Sequence, residues 1–248
     1  MFMRLVHRKI KPESLSAYRA MYEKKFIPAL QQTLGCQYAG LIQSSRHADE
    51  CISMTLWDEK ENAETYEKSG VFAEILQDAA PYLADSSEWR VQLSDDLTVQ
   101  YQPVPVEPVV QAYRVATIAS SQNIPQNSSL YLRIVSPNVH PGKIEEFKQL
   151  YNVEILPALR TVKGCLFAFL TENIKEDQVI SVTIWQSKQD ADAYEQTGVF
   201  SQLVKKVEHT FSEVYQWKMQ LEKESGGKAV TSGEMKVEGY SMVAGKSF

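Results

Sequence analysis

One stretch of the chain is written twice, and no other feature limits the fold so tightly. Met54 to Phe72 (MTLWDEKENAETYEKSGVF) returns as Val182 to Phe200 (VTIWQSKQDADAYEQTGVF), so that Trp57 and Trp185, Tyr66 and Tyr194, and two Gly-Val-Phe triplets stand 128 positions apart. A period this long marks a duplicated domain, because solenoid units recur every ~20–50 residues. Each copy reads as a strand ending in Trp, a helix carrying Tyr, a glycine break and a second helix.

The repeat extends in both directions. At a shift of 129, Met3 to Lys9 is matched by Leu132 to Pro137, which makes Arg4 and Arg133 equivalent. Pro12 and Pro141 suit the first turn of a helix, where a missing N–H costs nothing. That helix shows Leu15, Tyr18, Tyr22, Phe26 and Leu30 in one copy and Ile144, Phe147, Tyr151, Ile155 and Leu159 in the other, one apolar stripe each. Pro28 and Pro157 interrupt it late and predict a kink. Gly35 and Gly164 end it, and Cys36 to Ser44 with Cys51 to Trp57, or Cys165 to Leu170 with Val179 to Trp185, read as hairpins. Asp58 with Glu61 and Ser187 with Asp190 are spaced to cap the next helix. After Gly70 and Gly198 a second stripe follows, and Ser87 to Leu93 and Val214 to Leu221 read as closing strands.

Each copy thus has the order of a split βαβ, ferredoxin-like unit, and the fold class is α+β. The strands are apolar on both faces, as Ile52, Met54 and Leu56 against Trp57 show, so the two units are expected to pack sheet to sheet. The expected division is residues 1–100 as the first unit, 101–129 as a linker with an extra strand, 130–222 as the second unit and 223–248 as a C-terminal arm. Val109 to Ile118 and Val237 to Ala244 echo each other faintly and read as arms that add to a sheet edge or cross to the other unit. Ser225 to Lys228 reads as a hinge.

Composition excludes several classes. At 248 residues with 44% apolar and 23% charged residues and a net charge of −5, the chain is ordinary for a globular protein and offers no basic surface to nucleic acid. It shows no signal peptide and no apolar run near the ~20 residues of a membrane helix, so a cytoplasmic location without a membrane partner is expected. Cys36, Cys51 and Cys165 cannot pair completely and read as small buried side chains in a reducing compartment. His7, His47, His140 and His209 have no metal-ligand spacing, and no metal is expected.

The Trp strand, the Tyr helix and the Gly-Val-Phe step together resemble the antibiotic biosynthesis monooxygenase domain family, over about residues 2–94 and 131–222. The resemblance implies dimeric α+β barrels of ferredoxin-like units, here formed within one chain as a pseudo-dimer, with a further homodimer left open. It implies oxidation of anthrones or quinols by O₂ without a cofactor, and a small aromatic ligand. The family's haem-degrading branch places a histidine four residues after the phenylalanine, where this chain has Leu76 and Val204, so that activity is disfavoured. Many members carry a histidine where Tyr66 and Tyr194 stand.

Under this reading Arg4 and Arg133 hold a substrate phenolate, and His7, which Ser136 replaces in the second copy, is a base. Trp57, Tyr66, Phe72, Trp185, Tyr194 and Phe200 line a pocket between sheet and helices in each unit. The bland readings stand beside these. The arginines serve equally to pair with Glu88, Gln92 or Gln220, and the aromatics to hold helix to sheet. The rival class is a ligand-binding or assembly module of the same fold without turnover.

Overall fold

The computed structural model describes residues 1–93, 99–105, 109–118, 130–173, 178–212 and 235–247, with the backbone alone over 85–118. In the first half, β1 (Phe2–Lys9) leads through α1 (Leu15–Met21) and α2 (Ile27–Gln31) to the hairpin of β2 (Cys36–Ser44) and β3 (Glu50–Trp57), then α3 (Lys60–Lys68) and α4 (Gly70–Ala79). The strands β4 (Asp85–Leu93), β5 (Val99–Pro105) and β6 (Val109–Ile118) follow. The second half repeats the order with β7 (Tyr131–Pro137), α5 (Ile144–Leu150), α6 (Leu156–Thr161), β8 (Cys165–Asn173), β9 (Gln178–Trp185), α7 (Lys188–Gln196) and α8 (Val199–Val207), and ends in β10 (Met235–Ser247).

Eight strands close into one antiparallel barrel in the order β1-β3-β2-β10-β7-β9-β8-β6. The two segments read as arms are the strands that close it. β6 pairs with β1 of its own half (Phe2 opposite Arg114) and with β8 of the other, while β10 pairs with β7 (Leu132 opposite Tyr240) and with β2. The expectation that Ser87 to Leu93 closes the first unit is corrected. That segment lies in β4, which pairs with β5 in a separate two-stranded sheet, Trp89 opposite Pro103. Two strand-forming segments compete for the free edge of β1, and alternation within a strand carries no information about its neighbour; closure against β8 decides for β6. Val214 to Leu221 and Ser225 to Lys228 lie outside the described residues.

Strict alternation sorts the side chains. Met3, Leu5, Ile52, Met54 and Leu56 from one half meet Leu132, Ile134, Phe167, Phe169, Val182 and Ile184 from the other in a single core inside the barrel. The outward faces carry Trp57 and Trp185, Arg4 and Arg133, and are covered by the helices.

The kink expected at Pro28 and Pro157 takes the form of a π turn ahead of each proline, at Tyr22–Phe26 and Tyr151–Ile155. The Ile27 N–H reaches the Tyr22 carbonyl and the Leu156 N–H that of Tyr151, five residues back. The wider turn has a second cause in the stripe. Buried residues at 18, 22, 26 and 30 step by four, which on an ideal helix drifts about 40° each time, and one π turn takes back that drift. Capping differs between the halves: Ser187 Oγ accepts from the Asp190 N–H at 3.2 Å, whereas Glu59 at the N-cap of α3 makes no side-chain cap and Asp58 accepts instead from Gln37.

Since both halves fill one interior, urea should unfold the chain in one transition. Ile184→Ala, fully buried, should cost about 2–5 kcal/mol, and Leu34→Ala, 83% exposed, less than about 0.5 kcal/mol. Two separate transitions would mean that the halves do not share their core.

Candidate functional site

In the second half a cavity of about 50 Å³ lies between the outward face of the sheet and the helices. Arg133 from β7, Ser181 and Thr183 from β9, Phe147 and Tyr151 from the first long helix, and Tyr194, Phe200, Leu203 and Val204 from α7 and α8 line it, with Phe211 and Met235. Alternation along β7 and β9 aims every second residue here, so Arg133 and Thr183 arrive with Ser181 by register alone.

Three of the sequence-predicted residues of this half line the cavity. The Arg133 guanidinium sits 4.1 Å from the centre of the Phe200 ring and 5.5 Å from that of Tyr194. Trp185 stands behind them, fully buried, packed on Tyr194 at 5.0 Å and donating its indole N–H to Thr183 Oγ1 at 2.8 Å. In the first half the same group recurs. Trp57 donates to Thr55 Oγ1 at 2.8 Å and packs on Tyr66 (5.5 Å), Tyr66 meets Phe72 (5.4 Å), and the Arg4 guanidinium lies 4.6 Å from Phe72. His7 does not join Arg4. It shares the parity of Met3 and Leu5 on β1, opposite Ile52 and Val109, on the other face of the strand.

Two sets of residues were missed. The first is the partner of the arginine: Nε of Arg133 donates to Glu195 Oε1 at 2.9 Å and Nη2 donates to the same oxygen. This carboxylate follows the signature tyrosine, and Glu67 follows Tyr66, so a Tyr-Glu pair standing in both copies was the available signal. The second is a hydroxyl pair, Tyr151 with Ser181 at 2.8 Å and Tyr22 with Ser53 at 2.9 Å. A serine amid an apolar strand, present in both copies, marks it.

Burial keeps these hydroxyls neutral. It raises Tyr151 and Tyr194 well above the ordinary tyrosine range and Tyr66 to about 12. Among the described residues no carboxylate or imidazole lines the cavity, and Arg133 is the one cation. The site can therefore hold an apolar ring, stabilise an anion beside it and donate hydrogen bonds, but it supplies no base of its own. Among the described residues no group of His, Cys, Asp and Glu side chains is placed to hold a metal ion, and no helix is long and apolar enough to cross a membrane.

A closed barrel of two ferredoxin-like units with helices outside and a cavity beneath them is a dimeric α+β barrel made within one chain. Residues 131–206 match the family model for antibiotic biosynthesis monooxygenase. The internal repeat and the shared topology carry the same fold into the first half. A structure from Fusobacterium nucleatum, provisionally named a monooxygenase, aligns with a TM-score of 0.70 at 8% identity over 99% of this chain and 94% of its own. One from Lactobacillus acidophilus NCFM with the same provisional name aligns at 0.67 and 10% identity, over 99% and 95%. An anthrone oxidase-like protein aligns at 0.57 and 13% identity, over 99% and 92%. At such identities the likeness is one of fold. No curated protein sequence matches the chain.

The buried acids predict an alkaline limit to stability. Burial pushes Cys36, Cys51 and Cys165 from 9.0 up to about 12, and raises Tyr18, Tyr22, Tyr38, Tyr66, Tyr151, Tyr194 and Tyr240 above 10.0. The folded chain then keeps protons that the unfolded chain sheds, so this stability is whole below about pH 9 and is lost as the pH rises through the folded values. Urea midpoints should hold between neutral pH and about pH 9 and fall beyond it, with the phenolate absorbance of these seven tyrosines appearing together with unfolding. Absorbance of all twelve tyrosines rising first, in a still folded protein, would show that the seven are accessible.

Proposed function

We propose that the protein oxidises a small aromatic of the quinol or anthrone type with O₂, without a cofactor, in the cavity of the second half. The observation that carries this is an apolar wall holding one guanidinium and neutral hydroxyls. The family suggests the reaction and the lining suggests its mode. With no base in the cavity, the substrate contributes its own acidic hydroxyl, whose anion lies against Arg133 while the Tyr151 and Ser181 hydroxyls hold an oxygen of the ring system. With an anthrone the anion passes electrons to O₂, one oxygen atom becomes the new carbonyl of the product and the other leaves as water with the two hydrogens of the oxidised carbon; a quinol instead gives O₂ its two hydroxyl hydrogens with two electrons, and the oxygen leaves as hydrogen peroxide. A volume of about 50 Å³ is smaller than the ~150 Å³ that admits benzene, so entry requires Phe200 and Val204, both partly exposed, to part.

Binding without turnover is the second reading, favoured by the carboxylate already seated on Arg133. Oxygen uptake with a panel of quinols and anthrones separates the two. Uptake that falls on the order of 10–100-fold in Arg133→Ala supports oxidation. No uptake above the uncatalysed rate with any of them, beside ring binding that Arg133→Ala weakens, supports the binding module.

A further inference from the structure

Among the described residues, the helix layer of the first half holds positive charge that its surroundings do not balance. Arg4 and Arg8 stand four apart on β1, share its outward face and are 3% and 5% exposed. Among the described residues Arg4 Nε, Arg4 Nη2 and Arg8 Nε have no hydrogen-bond partner. Arg8 donates once, to the Tyr18 hydroxyl at 3.1 Å, and lies 5.3 Å from the centre of the Phe26 ring. Glu67 faces Arg4 but stops 3.6 Å from Nη2, with its side chain 47% exposed. Burial presses the Arg4 pKa down, Glu67 is the main counterweight, and the Arg8 charge adds to the pressure.

The second half shows what this edge of the arginine takes. The corresponding Nε and Nη2 of Arg133 are both occupied by a carboxylate, Glu195, the repeat equivalent of Glu67. No second cation stands behind it, because Pro137 occupies the place of Arg8. Two buried guanidiniums facing one loosely set, half-exposed carboxylate is an arrangement that an additional anion relieves.

We propose that the first half is a binding site for the carboxylate of a small aromatic acid, with the two carboxylate oxygens on Arg4 Nε and Nη2, Arg8 supplying a second positive charge and Glu67 competing for the same edge. Two coplanar N–H groups match the two oxygens of a carboxylate as they would two of a phosphate, so the preference for an aromatic acid rests on the rings beside them. An aromatic body suits a layer in which Phe72 and Phe26 already lie against the guanidiniums and Tyr66 packs on Phe72. The site goes beyond the oxidation proposed for the second half and is read by binding alone, so either proposal can fail without the other.

Calorimetric titration of benzoate into the whole protein at low ionic strength, beside inorganic phosphate, tests it. Benzoate should bind more tightly than phosphate, Arg4→Gln should weaken it at least ~10-fold and Arg8→Gln several-fold. Glu67→Gln, a change on a half-exposed helix position, should tighten binding several-fold by removing the competitor. Arg133→Gln should leave it within about twofold. Should Arg4→Gln fail to fold by circular dichroism, the opposite signs expected of Arg8→Gln and Glu67→Gln still decide. The proposal is overturned if neither the wild type nor Glu67→Gln binds benzoate, if phosphate binds equally well, or if Arg133→Gln abolishes binding while Arg4→Gln spares it.

Discussion

The structure depends on two strands that each serve both halves. β6 joins β1 to β8 and β10 joins β2 to β7, and with them every barrel strand has a neighbour on each side. Remove either and open edges remain, which are templates for aggregation. Between separate chains these pairings would depend on concentration; within one chain they do not. Closure also fixes where chemistry can reside. The interior is filled by Met54, Leu132, Phe169, Ile184 and their neighbours from both halves, and the cavity of the second half lies instead in the layer between the outward sheet face and the helices.

That layer is built by alternation and by one helical irregularity. Alternation brings Arg4 and Arg133, each preceding an inward leucine or isoleucine, beneath the helices, where a guanidinium loses its water and needs stacking and a carboxylate in return. The π turn lets Pro28 and Pro157 sit within a helix while setting Tyr22 and Tyr151 over Ser53 and Ser181. Each hydroxyl pair is worth only ~0.5–1.5 kcal/mol if kept, but an orphaned buried hydroxyl costs ~1–3 kcal/mol. This favours a tyrosine and a serine together in both copies.

Much of this was legible because it is local or repeated. The 128-residue repeat, the period-2 strands and the glycines at positive φ, Gly35 and Gly164, all act within a few residues or by comparison of the copies. What failed to show is what tertiary closure decides. Asp85–Leu93 and Val109–Ile118 are both competent strands, and only the partner half selects which one enters the barrel. The site was half visible. Arg133, Tyr194 and Phe200 were found from the repeat, whereas Glu195 and the Tyr151–Ser181 pair were passed over because a glutamate on a helix and a tyrosine in an apolar stripe look like surface and core. His7 was placed with Arg4 although an odd offset on a strand puts the two on opposite faces.

Fusion of the halves also releases a constraint that a dimer of identical chains obeys. There, any residue that charges one helix layer charges both, and a buried cation without a partner is incurred twice. In a single chain the layers diverge: Arg8 against Pro137, Tyr18 against Phe147, Tyr82 against Thr210. The first layer gains a second guanidinium and a hydroxyl that holds it, and the second keeps an apolar cavity with its lone cation neutralised by Glu195. The shared interior carries stability for both, so the outer layers can differ in charge without loss of the barrel. A common core with unlike outer layers is the physical reason for proposing different ligands for the two halves.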